Sequence, residues 1–149
     1  VDELLGVFGL NRAFLQQLSA ERTEDARALL AAHRWSGAYY LVGYALECAL
    51  KSCVVAYVER NIEVIFGSKG FQNKCWTHEL ESLLDLADLR SELEKVKTSN
   101  PKIAQNWLDV KDWSELSRYQ MKTQSDAEKL FEAVTNNSDG VLPWVKTYW

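Results

Sequence analysis

Four side-chain groups in this chain have types and spacings that could do chemistry. Glu47 and Lys51 stand four residues apart in the favourable order for a helical ion pair, acid before base. They interrupt the stretch GAYYLVGYALECALK (37–51), which is otherwise apolar. Arg118 and Tyr119 set a cation beside an aromatic ring, a pair that can bind phosphate or stack a base. It is more ordinarily a structural, hydrogen-bonded arginine. His78 follows Thr77 at an expected helix start and reads either as a polar residue of a first helical turn or as a proton carrier. Cys75 lies three residues before it, but Trp76 and Thr77 between them give no sign of an activated thiol.

The elements that must position these groups are helical. Apolar residues recur at intervals of three and four almost throughout, and alternation with period two is nowhere sustained. The pattern predicts an all-α, up-and-down bundle of four to five main helices forming one domain over 1–149, with 1–11 as a possible N-terminal arm. Long helices are expected over about 11–32 and 35–60, the second N-capped by Ser36. Shorter ones should start at Thr77, Ser91, Pro101 and Ser125, with Pro143 in the first turn of a last helix. Gly67–Gly70 should be a loop, and 114–122 a turn or irregular region.

At about 100° per residue, Ser36, Tyr40, Tyr44, Glu47 and Lys51 fall on one line of the second long helix. The charges therefore belong to a narrow polar face that also carries two phenols. That face reads either as an exposed edge with a surface salt bridge or as a binding groove, since a desolvated charge needs a partner.

Composition narrows the function classes. The net charge is −4, which argues against holding duplex nucleic acid by charge alone. The three Cys are odd in number, without CxxC or metal-site spacing, and point to reduced thiols. Only two His exist, His33 and His78, and neither stands near a carboxylate cluster at ligand spacing, so no metal site is expected. There is no GxGxxG and no P-loop, so no cofactor is expected either. No signal-peptide pattern is visible, and the apolar run near 37–50 is too short and interrupted to span a bilayer. A cytoplasmic protein without membrane association is expected.

The runs DARALLAAHRWSGAYYLVGYALECALK, THELESLL, SRYQ and GVLPWVKTYW together resemble the HEPN domain family over roughly residues 12–149. The run 25–51 is the specific part. The resemblance implies a helical bundle, usually a homodimer, that binds nucleotide or RNA. It also implies a role in toxin–antitoxin, phage-defence or RNA-processing systems, often beside a nucleotidyltransferase-type partner protein. Nuclease members cut RNA without metal, using an Arg followed after four to six residues by a His. A polar residue of the second helix supports that site, a role that would fall to Glu47. This chain departs from the motif, because Tyr119-Gln120-Met121-Lys122-Thr123-Gln124 follows Arg118 with no His. Arg27 and His33 match in spacing only. Six helical steps leave their side chains about 120° apart, on the first helix rather than the late one.

The expected function is thus binding of nucleotide, RNA or a partner protein, with Arg118, Tyr119, Glu47, Tyr44, Tyr40 and Lys51 as the ligand face. In that reading Arg118 pairs with Glu47 at or beside a dimer interface. One alternative is a metal-independent endoribonuclease drawing on Arg118, Tyr119 and His78. Another is a structural interaction module that docks through the aromatic tail Trp144, Tyr148 and Trp149.

Overall fold

The computed structural model describes residues 10–149. Most of the possible N-terminal arm lies outside them. Among the described residues there are nine helices, one 3₁₀ turn and no strand. The helices are α1 (Arg12–Ala31), α2 (Trp35–Arg60), α3 (Val64–Gly67), α4 (Phe71–Lys74), α5 (Leu80–Leu86), α6 (Arg90–Ser99), α7 (Pro101–Val110), α8 (Gln124–Thr135) and α9 (Val141–Val145), with the 3₁₀ turn at Glu115–Tyr119. Five of the nine run to ten residues or more, so the expectation of an all-α bundle with four to five main helices holds.

α2 is apolar on nearly every side because it is covered on nearly every side. α1 runs antiparallel along it. Arg12 meets Glu59 at 3.5 Å, the Ser19 hydroxyl donates to the Ala45 carbonyl at 2.8 Å, and Leu29 packs against Gly37. α5, α8, α9 and the 3₁₀ turn take the remaining faces. The apolar window of α2 has the length and composition to cross a membrane, yet 67% of it is buried within the bundle, as in the central helix of a packed core. That core runs from Ala26 through Leu46, Leu50, Leu83, Leu93 and Trp107 to Val145. At about 25 cal/mol per Å² of apolar surface, each fully buried Leu adds roughly 1.5–3 kcal/mol.

The helix ends explain the turns. α1 stops in a Schellman motif, with His33 left-handed at φ 57°, Arg34 N–H donating to Leu29 O and His33 N–H to Leu30 O. The same device closes α5, with Asp88 at φ 58°. Asn100 caps α7 by accepting from the N–H groups of Lys102 and Ile103, and Pro101 takes the first helical position. Thr123 and Asp126 form a capping box on α8. Asp139 ties this end together, accepting from the Asn100 side chain on its carboxylate and from the Asn106 side chain on its carbonyl, both at 2.8 Å.

Three local expectations need correction. Ser36 does not cap α2; its hydroxyl accepts the Lys122 N–H at 2.9 Å and pins the segment after the 3₁₀ turn. Thr77 does not start α5 directly. Its hydroxyl accepts the Glu79 N–H, and the helix begins at Leu80 after an extended step. The aromatic tail is not an exposed patch, since Trp144 is buried and Tyr148 and Trp149 pack against the core.

Candidate functional site

The line of residues expected on α2 exists, and its depth changes along its length. Tyr40 and Tyr44 are half-buried and stacked, with ring centroids 6.3 Å apart and planes 2° from parallel. Tyr40 also stacks on Trp113 at 6.0 Å. Trp113 can lie this close to α2 because residue 43 is glycine: a Cβ there would stand 2.1 Å from the indole nitrogen. Burial pushes the Tyr44 phenol up to about 12, with the neighbouring Cys48 thiol adding to the shift.

One turn further on, Glu47 is 1% exposed, so it is not a surface residue on an open edge. Its Oε1 accepts from Lys51 Nζ at 2.7 Å and from His78 Nδ1 at 2.9 Å. Lys51 is 17% exposed and the His78 side chain 46%. Glu47 Oε2 is buried with no protein partner. A carboxylate only accepts, so Nδ1 of His78 carries the hydrogen whether the ring is neutral or charged. In the neutral ring this leaves Nε2 as the acceptor. The extended run 77–79 makes the contact possible, by carrying His78 across to α2 before α5 begins.

Arg118 and Tyr119 sit on the 3₁₀ turn, both exposed. The guanidinium lies 5.1 Å from the Tyr119 ring centroid. The oxygens of Tyr119 first and Tyr40 second raise the pKa of Arg118. Lys122, just beyond, lies 4.4 Å over the ring of Tyr39. Cations and rings therefore alternate along this end of α2.

Within the chain the expected pairing of Arg118 with Glu47 is not formed; the ion pairs of Glu47 are with Lys51 and His78. The reason is distance along the helix. Arg118 meets α2 at Tyr40, seven residues before Glu47, which is about 10 Å of helical rise. Two cavities, of about 600 Å³ and 570 Å³, lie beyond Lys51 around the segment 62–77, and Arg118 lines neither. Cys75 lines the first, with its thiol pushed up by burial, the opposite of what an activated nucleophile needs. Among the described residues no three His, Cys, Asp or Glu side chains converge on a point that could hold a metal ion.

Sequence reasoning placed Tyr40, Tyr44, Glu47 and Lys51 on one face and Arg118 beside that face. It missed His78 as the partner of Glu47, because nothing local links residues 31 positions apart. No family model, curated protein or solved structure matches the chain.

Proposed function

We propose that this protein binds single-stranded RNA or a nucleotide on the strip formed by Tyr40, Tyr44, Arg118 and Tyr119. The observation that carries the proposal is the exposed Arg118 guanidinium. It makes no ion pair with a carboxylate among the described residues, lies 5.1 Å from the Tyr119 ring centroid and is close enough to Tyr40 to feel its phenol, while Tyr40 itself stacks on Tyr44 and Trp113. A phosphate would take the guanidinium fork, and a base would lie on the 77%-exposed Tyr119 ring. Lys122 adds a second cation at the same end. The acidic balance of the whole chain suits a small local site better than a duplex track. The resemblance to HEPN domains, with their nucleotide- or RNA-binding and homodimeric habit, agrees with this reading. Three unpaired thiols accord with a reducing, cytoplasmic setting.

Fluorescence anisotropy with a labelled oligoribonucleotide, and calorimetry with mononucleotides, test the proposal. Arg118→Ala and Tyr119→Ala should each weaken binding about tenfold while the far-ultraviolet spectrum stays unchanged. Absence of binding by the folded protein, or variants that bind as well as the parent, would overturn it.

A second reading, the metal-independent ribonuclease, rests on one specific observation. A buried carboxylate holds Nδ1 of a half-exposed histidine, the arrangement that orients a general base. Within one chain Arg118 and His78 engage α2 about 10 Å apart and do not meet at one phosphate. Cleavage of RNA in EDTA that is lost in both Arg118→Ala and His78→Ala would favour this reading over simple binding.

A further inference from the structure

From 61 to 79 no residue is buried, although the segment holds Ile62, Val64, Ile65, Phe66, Phe71 and Trp76. Phe66 is 88% exposed and Trp76 65%. Phe71 packs against the core from outside, and the others do not join it. Ile65, Phe71 and Trp76 line a cavity of about 600 Å³ against α2, within the range of small-molecule sites. Val54, Val55 and Val58 of α2 form one wall, with Ile65, Phe71 and Trp76 opposite.

The titratable groups lining this cavity are Lys51, Glu59, Lys69 and Cys75. Glu59 is paired with Arg12, and the Cys75 thiol is held neutral by burial. Lys69 makes no ion pair among the described residues, and Lys51 gives one hydrogen to Glu47. An ammonium has three donors, so Lys51 keeps two. Among the described residues the unpaired charge at this cavity is therefore that of Lys69, and Lys51, though paired with Glu47, adds two free donors, while the walls are apolar. From Lys51 to Val58 α2 rises about 10 Å, which is the run available to a ligand's tail.

We propose that the cavity binds an amphipathic monoanion of the medium-chain carboxylic acid class. Its carboxylate sits on Lys51, and its hydrocarbon tail lies along Val54, Val55 and Val58 beneath Ile65 and Trp76. The site is separate from the aromatic strip and does not depend on nucleotide or RNA binding there.

The test is calorimetric titration of the full chain with decanoate, with Trp76 emission as a second signal. Decan-1-ol and decyltrimethylammonium serve as probes with the same tail and a different head. Decanoate should bind saturably, at least about tenfold more tightly than either control, because a charge-assisted contact is worth that much. Lys51→Met should remove the preference for the acid. Because Lys51 also serves the fold, Val55→Phe provides an independent check: it fills the cavity from a half-buried position, and decanoate binding should be lost at unchanged helicity. Arg118→Ala should leave decanoate binding intact. Equal binding of all three probes, no saturable binding to the folded chain, or undiminished binding by Val55→Phe would each overturn the proposal.

Discussion

The Glu47 cluster should respond very differently to the loss of each partner. Lys51→Met leaves a carboxylate that is 1% exposed with one hydrogen-bond donor, His78, on Oε1 and none on Oε2. Removing one partner of a buried ion pair typically costs 3–5 kcal/mol. The remaining 2.9 Å contact to His78 places this variant near the lower end, at about 3 kcal/mol. Glu47→Met should be far milder. It leaves Lys51, which is 17% exposed and lines a cavity where its ammonium can be hydrated, and the half-exposed His78, whose Nδ1–H water can reach, and it removes the unpartnered Oε2. A cost below about 1 kcal/mol is expected, since apolar replacement of the buried carboxylate offsets the lost pair. The double variant should then resemble Glu47→Met alone, which makes the coupling equal in size to the Lys51→Met cost, about 3 kcal/mol. Urea denaturation at neutral pH, followed by far-ultraviolet circular dichroism, reads all three midpoints with a common slope. A smaller cost for Lys51→Met than for Glu47→Met, or two costs that simply add, would refute a buried carboxylate that depends on Lys51.

Two further outcomes are expected. Gly43→Ala should destabilise by about 1–3 kcal/mol in thermal melts, although alanine is the better helix former, because its Cβ would fall 2.1 Å from Trp113 Nε1 and force the indole off α2; unchanged stability and near-ultraviolet signal would refute the close approach. Stability should also fall above pH 9: burial holds Cys48 at about 11 and Cys53 at about 12 against an ordinary value of 9.0, so the unfolded thiols ionise first, each removing about 1.4 kcal/mol per pH unit. This contribution is fully present below pH 9 and is lost as the pH climbs towards the folded values, so Cys48→Ala/Cys53→Ala should flatten the alkaline limb between pH 9 and 10, and an unaltered limb would count against buried neutral thiols.

The long helices were legible because their signals are local. The period of Phe14, Leu15, Leu18, Ala26 and Leu30 marks α1, and the all-round apolarity of 37–50 marks α2 as central. Pro101 sits at the first position of α7, where its fixed φ put it. What escaped was either long-range or weakly packed. Ser36 has the chemistry of a cap but is claimed by a backbone amide 86 positions away. Arg118 was drawn to Glu47 by charge alone, whereas it meets α2 two turns earlier and the carboxylate is taken by Lys51 and His78. The segment 62–76 read only as a loop at Gly67–Gly70. Four-residue helices are too short for a periodic signal, and Ile65, Phe66 and Trp76 look like core residues until burial shows otherwise.

That segment has a consequence for how the molecule opens. Its backbone hydrogen bonds join near neighbours, none of its side chains is fully buried, and only Phe71 and Cys75 pack against the core, so little bundle energy holds it down. Its amides should exchange with solvent through small local excursions, at rates that ignore global stability, while those of α2 wait for whole-molecule unfolding. The same separation bears on sequence drift. Substitutions between 62 and 76 reshape one wall of the cavity at small cost to the fold, so this wall can diverge while the five longer helices stay as they are.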